Sequence, residues 1–327
     1  MQAKIRLIVK TPIHIGSGED YWPYDYLITN NSVKIINDIE FNKRVLSDEK
    51  LYQNFLEISE NSQKIVSFYR KNAKEFLEEI KLKPNAKEYL SKRGDIRAPI
   101  NQFIKDVYKK VYIPGSSIKG AIRTAVANYI FNQKYEDLKD IQNENKFMAQ
   151  IFCNQDKFDA TKDFLKVLSI SDLKPVNVEK NIIQPFNKGK EDFQLIPVIL
   201  EVVKNGEFEG TININENLLK KISHVPENFD FEFIKTCLKD YYQKINSFER
   251  KREWWQGIKI PEYEEYLIKI GKHSGAGAKT IENKRKIKVD VKDKKGKKVK
   301  KDFAYQLSTW CDEDKNQLGW TKLEIKP

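Results

Sequence analysis

Apolar and polar residues alternate over residues 4–10, which predicts a half-buried first strand that ends in a glycine turn at His14-Ile15-Gly16-Ser17-Gly18. From Tyr24 to Ile36 the same period predicts two short strands about a turn at Asn30-Asn31. Between Asn42 and Ser91 the period changes: Leu51, Phe55 and Ile58, then Ile65 and Phe68, then Phe76 and Ile80 have helical spacing in a Lys/Glu-rich background, interrupted at Pro84-Asn85. Val111-Tyr112-Ile113 reads as a short strand, and an amphipathic helix follows from near Ser116 to about Phe131. Residues 135–164 are mixed and polar. Leu165–Ile170 reads as a strand, residues 193–203 and 209–214 as a hairpin about Lys204-Asn205-Gly206, and Phe231–Asn246 as a helix. Tyr266–Ile270 predicts a strand leading to a second glycine turn at Gly271–Gly277, and Trp320–Ile325 a last strand. Strands and helices alternate in two rounds with antiparallel hairpins, which favours an α+β fold over uniform βαβ units. No short repeat supports a solenoid.

Charge adds one element. The 327 residues carry a formal charge of +12, but residues 284–301 alone hold eleven Lys/Arg and two Asp, a local +9. Ile287, Val289 and Val291 alternate with Lys286, Lys288 and Lys292, and Asp293-Lys294-Lys295-Gly296-Lys297 reads as a turn, so the run predicts a basic hairpin. Such a hairpin either solubilises the chain or follows a phosphate backbone. Apolar residues make up 40% of the chain, enough to bury a core in each half and to exclude wholesale disorder. No stretch approaches the ~18 apolar residues of a membrane span, and the start reads as a strand, not a secretory leader. Cys153, Cys237 and Cys311 lie too far apart in sequence for a CxxC site or a disulfide framework, which fits a reduced, cytoplasmic setting.

Three loops could carry chemistry. In Ile113-Pro114-Gly115-Ser116-Ser117-Ile118-Lys119-Gly120, either serine can cap the helix, the glycine before it admits a close ligand, and Lys119 and Arg123 share a face beside the terminus. That is a sensible anion site, and equally an ordinary capped core helix. It is not an ATP site: Gly115 and Gly120 have the GxxxxG spacing, but Ala121 stands where a P-loop needs lysine. The turns at Thr11–Gly18 and Gly271–Thr280 also follow strands, and the second adds Lys272, His273 and Lys279. The ring cluster Tyr21-Trp22-Pro23-Tyr24-Asp25-Tyr26 and the pair Trp254-Trp255 suit either base stacking or packing.

Evidence for catalysis is thin. His14, His224 and His273 are isolated, with no HxH or HxxxH spacing for a metal. His14 or His273 has the right ordinary pKa for general acid–base cleavage of RNA, and Asp25, with Asp20, Asp38 or Asp172 as helpers, is the candidate for holding a divalent ion. No GxSxG elbow supports a serine nucleophile.

Together, Thr11-Pro-Ile-His-Ile-Gly-Ser-Gly18, Ile113-Pro-Gly-Ser-Ser-Ile-Lys-Gly120 with Arg123, and the Gly271–Gly277 loop resemble the RAMP superfamily of CRISPR-associated RNA-binding proteins. Ser169–Asp172 and residues 201–214, similar to a strand–loop–strand of that family, extend the resemblance along nearly the whole chain. Within the family the order of motifs most resembles the subunit that caps the crRNA 3′ side in type III-A (Csm) complexes. The resemblance implies two RRM-like (ferredoxin-like) domains, expected at 1–160 with a helical insert at about 42–95, and at 161–327 with the basic hairpin. It implies a non-catalytic subunit that needs no metal or cofactor and contacts crRNA and the repeating backbone RAMP subunit, with target RNA and host nucleases as further partners and no membrane. Gly115, Ser116, Ser117, Lys119, Gly120 and Arg123 are expected to hold phosphates or a neighbouring subunit. His14, Gly16, Ser17, Gly18, Gly271, Lys272, His273, Ser274, Gly275, Gly277 and Lys279 are expected along the RNA path. The alternative is an endoribonuclease of the same superfamily acting through Asp25 or His14.

Overall fold

A computed structural model of the chain describes residues 1–92, 99–190, 192–292 and 298–326. The opening alternation forms β1 (Gln2–Val9), with Ala3, Ile5, Leu7 and Val9 on its buried side. The first glycine turn runs straight into β2 (Gly16–Tyr21), and β3 (Tyr26–Ile28) and β4 (Ser32–Ile36) form the hairpin expected about Asn30-Asn31. Asn37, Asp48 and Asn61 then start α1 (Asp38–Ser47), α2 (Glu49–Ile58) and α3 (Ser62–Asn72), each side chain accepting a free N-terminal amide. Phe41, Val45 and Phe68 of these helices close on Ile36 in a small core of their own.

The helical run does not continue as its spacing predicts. Residues 76–82 form a strand, β5 (Phe76–Leu82), because Ile80 and Leu82 also fit a two-residue period and the sheet offers β5 a partner on each side. Pro84 does not break a helix but begins one, α4 (Pro84–Lys92), at the position where a missing N–H costs nothing. Residues 93–95 of the expected insert lie outside the described residues. β6 (Ile100–Phe103), α5 (Gly115–Gln133) and α6 (Tyr135–Leu138) follow. The polar middle contains a further helix, α7 (Glu144–Cys153), capped by Asn143 and anchored by Phe147, Ile151 and Phe152.

After β7 (Leu168–Ile170), β8 (Lys174–Ile183), β9 (Phe186–Lys188) and β10 (Gln194–Leu195), the expected hairpin at 193–214 is replaced by one unbroken strand, β11 (Ile199–Ile214). Gly206 has φ +130°, and a Cβ there would lie 2.1 Å from the Asn177 carbonyl oxygen. The β8–β11 register slips on either side of it, so Lys204-Asn205-Gly206 is a bulge and not a turn. The family-like strand–loop–strand at 201–214 is corrected in the same way. The chain continues through α8 (Glu216–Leu219), α9 (Phe231–Arg250) and β12 (Leu267–Lys269). The basic run forms the hairpin β13 (Ile287–Lys292) and β14 (Lys298–Phe303); its predicted turn lies outside the described residues. β15 (Thr309–Cys311) and β16 (Trp320–Lys326) end the chain.

The fold is mixed α+β. Among the described residues an 11-stranded sheet runs β12-β16-β1-β11-β8-β5-β4-β3, with β6 and β7 also paired to β11, and β2 to β6. Most neighbours are antiparallel, while β6–β11 and β5–β8 are parallel. β1 sits between β11 and β16, so the first and last strands pair toward the β12 edge of the sheet. α5 and α9 pack against its covered face, burying Ile118, Ile122, Val126, Leu238 and Tyr242 with Leu7, Phe208 and Trp320. No helix among the described residues is long and apolar enough to cross a membrane.

Candidate nucleic-acid interface

The three glycine loops, more than 250 residues apart at their extremes, meet at one cleft of about 620 Å³. Ile15, Gly16 and Gly18 form one wall, Ser116, Ser117, Gly120, Ala121 and Thr124 of α5 a second, and Lys269–Lys272 with Ala278 and Lys279 a third. Backbone hydrogen bonds fix this arrangement. Lys272 N donates to the His14 carbonyl (2.7 Å), Gly319 N to Pro12 (3.0 Å) and Ile104 N to Ile15 (2.7 Å). Gly271 makes the contact possible: its φ is +88°, and a Cβ would stand 2.6 Å from the His14 carbonyl oxygen.

The start of α5 differs from expectation. The helix begins at Gly115 with Pro114 at its cap and no side-chain cap bond, so neither serine caps it. Asp172 does this from outside, its carboxylate accepting from Gly115 N at 2.9 Å. Gly115 is glycine because α5 abuts β7: a Cβ would lie 2.2 Å from the Ile170 carbonyl oxygen. Ser116 and Ser117 are thereby left to the cleft, and around Gly18 and Gly120 there is open space. Lys119 and Arg123 share a face of α5, but they serve their own chain. Lys119 Nζ donates to the Leu168 carbonyl (2.6 Å), and its ammonium is pulled below the ordinary lysine range by burial. Arg123 pairs with Asp163 at 2.6 Å and lies 3.8 Å above the Phe152 ring.

Among the third loop's residues, Gly271, Lys272 and Lys279 line the cleft. Ser274 is buried and donates to the Gly271 carbonyl (2.8 Å), while Gly275 and Gly277 press against Gln306 and Tyr305. His273, at φ +66°, stacks on Trp310 at 3.8 Å. Burial, then His14, Lys272 and Lys279, push its pKa down to about 4. Ser17 is exposed, and its hydroxyl accepts from Glu19 N (3.0 Å).

His14 is 1% exposed and donates through Nδ1 to the Glu201 carbonyl at 2.7 Å. Its pKa is lowered, chiefly by burial, so the ring is neutral at pH 7, and Nε2 is sealed without a partner. Asp25 is in a turn, accepting from Trp22 N at 2.7 Å, and burial raises its pKa to about 6. Of its imagined helpers, Asp38 is near enough to add to that rise, whereas Asp20 accepts from Asn101 (2.7 Å) and Asp172 caps α5. No three His, Cys, Asp or Glu among the described residues are grouped to hold a metal.

Two buried ionic clusters support the cleft and went unseen in the sequence. Under the first loop, Glu201 accepts from Phe103 N (3.1 Å) and pairs with Lys105 (2.9 Å) and Lys180 (3.3 Å), while Lys105 also reaches Glu78 at 2.9 Å. Burial draws the Lys105 ammonium down, but Glu201, Tyr21 and Glu78 together outweigh it and hold the pKa raised. At the third wall, Lys269 and Glu249 are both fully buried and 2.6 Å apart, with Tyr305 Oη donating to the same carboxylate at 2.7 Å. A lysine on the inward side of a strand as apolar as Leu267–Ile270 was the available signal for this pair. The small-residue stripe Ser117, Gly120, Thr124, spaced three and four apart on α5, was the signal for the cleft wall.

Comparison with known proteins gives the family. Residues 6–280 match the RAMP superfamily. The chain is 31% identical over 277 residues to the CRISPR system Cms protein Csm5 of Methanocaldococcus jannaschii, covering 77% of this chain and 63% of that protein. It is 25% identical to the Streptococcus thermophilus protein of the same name, covering 85% of this chain and 79% of the relative. A chain in the cryo-EM structure of a type III-A Csm–crRNA–target RNA ternary complex superimposes with a TM-score of 0.72 at 18% identity, covering 98% of this chain and all of that one. The crystal structure of T. onnurineus Csm5 gives 0.61 at 16% identity, covering 97% of this chain and 99% of that one. With five-sixths of its length matched by the family, the chain belongs to the RAMP superfamily.

Proposed function

We propose that this protein is a crRNA-binding subunit of a type III-A CRISPR interference complex that caps the 3′ side of the guide, docks on the repeating backbone RAMP subunit and does not itself cut RNA. The observation that carries the reading is the convergence of three glycine loops on an open cleft. Bare backbone at Gly18 and Gly120, together with Ser116, Ser117 and Lys272, lines it, as does Lys279, whose ammonium also donates to the Gly271 carbonyl at 2.8 Å. Backbone amides and cations around an open groove suit a ribose-phosphate strand held without base-specific contacts. The relatives named Csm5 and the fold shared with a chain of a Csm–crRNA complex support the same assignment. The division into RRM-like units at 1–160 and 161–327 belongs to this proposal, supported by one long helix in each half, α5 and α9, on the covered face of the sheet.

The non-cutting reading is supported by how the catalytic candidates are used: Asp25 closes its own turn, and the free nitrogen of His14 is sealed from solvent. The test is guide retention in a reconstituted complex. Replacing Lys272 and Lys279 together by alanine is expected to lower retention and flatten its salt dependence, by about 0.7 in log–log slope per lost phosphate contact. Wild-type retention and slope would overturn the assignment, and cleavage of repeat RNA that Asp25→Ala or His14→Ala abolishes would replace it with the endoribonuclease.

A further inference from the structure

Ion pairs occupy basic residues along most of the fold, from Lys10–Glu264 (2.6 Å) on the first strand's end to Lys322–Glu264 (3.1 Å) on the last strand. Among the residues whose side chains the structure describes, that pattern stops between 270 and 301, where no such lysine or arginine pairs with a carboxylate within 4 Å. Lys284 is held by the carbonyls of Lys139 and Ile141 (3.0 Å to the latter), and Lys286 by the Gln142 side-chain oxygen (2.8 Å). These partners are neutral; Asp140 lies near enough to Lys284 to favour its charge, and Asp302 and Asp290 stand at register positions opposite Lys288 and Lys300, so the lysine excess is only partly offset. Lys288, Lys300 and Lys301 are exposed on the β13–β14 ribbon, which is paired to no other strand of the described sheets.

The charge is also continuous with the cleft. A second hollow of about 270 Å³ shares Thr124 and Lys279 with it and is also lined by Lys284, Arg285 and Lys286. Those residues lead directly into β13, whose six-residue strand extends about 20 Å at the usual rise. Phe147, Met148 and Ile281 give the hollow an apolar lining. Glu144 also lines the hollow, and the lysines that outnumber the carboxylates along this path repel one another and favour a polyanion beside them.

We propose that an RNA strand lying in the cleft continues over Thr124 and Lys279 into this hollow and along the basic ribbon, which forms a second, sequence-independent binding segment for single-stranded RNA. The proposal rests on the reading of the cleft as an RNA site. Its apolar lining takes a base or ribose face, and the lysines beyond it track phosphates. An acidic protein surface is the competing occupant; the continuity of the charge with a groove already open to a strand favours RNA.

The test uses the reconstituted complex with a guide whose 3′ end runs past the cleft, and reads nuclease protection nucleotide by nucleotide. Replacing Lys286, Lys288, Lys300 and Lys301 by alanine is expected to shorten protection from the 3′ end while the cleft nucleotides stay protected, and to lower the salt slope by up to about 3. Arginine at the same four positions should restore the full footprint. An unchanged footprint and slope overturn the proposal, as does loss of a protein subunit with the RNA footprint intact. The Lys272→Ala, Lys279→Ala variant separates the two readings. If it keeps the cleft nucleotides protected, the cleft reading fails, whatever the ribbon variant does to the 3′ end.

Discussion

Gly120 separates stability from RNA binding, which most substitutions in a binding site cannot do. It is the sixth residue of α5, exposed and on the cleft wall, and a Cβ added there meets nothing within 4 Å. Glycine inside a helix costs about 1 kcal/mol relative to alanine, so Gly120→Ala is expected to stabilise the protein by about that much, while its methyl in the cleft lowers guide retention less than a charge there does. Gly120→Glu keeps most of the gain, since glutamate is nearly as good a helix former and an acid is favoured near a helix N-terminus. Its carboxylate, however, enters the cleft. A phosphate about 6 Å away is repelled by roughly 0.7 kcal/mol at the dielectric of water and roughly 3 kcal/mol at an effective value of about 20. That corresponds to a loss of affinity of roughly 3- to 100-fold. Chemical denaturation reports the first effect, and guide retention at about 50 and 200 mM salt reports the second, with the larger defect at low salt. A Gly120→Glu protein that is more stable and holds its guide as tightly as the parent refutes the placement of a phosphate strand in this cleft.

Lys269→Met leaves the Glu249 carboxylate buried without its cation, and is expected to cost about 3–5 kcal/mol in denaturant unfolding, part of which Glu249→Gln in the same chain recovers. A loss below about 1 kcal/mol would show that the pair is not held as described. Folding holds the His273 imidazole neutral with a pKa of about 4. As the pH falls through the ordinary histidine range near 6.5, the unfolded chain takes up the proton first. Stability is therefore intact above about 6.5 and falls toward about 4, a slope to which His14 adds in the same direction. His273→Asn suits the φ of +66° and should flatten that slope in melts at stepped pH; an unaltered slope argues against the buried neutral ring. Arg123→Ala removes the Asp163 pair and the Phe152 contact and should cost about 2 kcal/mol, with guide retention unchanged once corrected for the folded fraction. A drop in retention at an unchanged melting midpoint would instead place Arg123 on the RNA.

The sequence singled out three loops that the fold brings to one cleft, because a glycine turn after a strand is a local signal, but not which atoms in them face outward. Gly18 and Gly120 border open space, whereas Gly115 and Gly271 are pressed against carbonyls of Ile170 and His14. All four occur in glycine-rich loops of the same kind, and only the fold distinguishes a glycine that borders open space from one pressed against its own backbone. The same limit misdirected the reading of α5. Spacing puts Lys119 and Arg123 on one face and Ser117, Gly120 and Thr124 on another, and chemistry alone preferred the cations. The side of the helix that β7 occupies decided the matter, and β7 is held there by residues 212–214 of β11. Phe76–Leu82 and Lys204-Asn205-Gly206 were misread for a related reason. Each has a plausible local pattern that partners from distant strands override, β4 and β8 for the first and β8 for the second. The cleft depends on pairing of that kind throughout. Its first wall follows β1 and its third follows β12, and these two strands are aligned because both pair with β16, at the far end of the chain. A substitution that weakens β16 should therefore open the cleft before it melts the helical insert, whose core of Phe41, Val45 and Phe68 contains no residue of that strand.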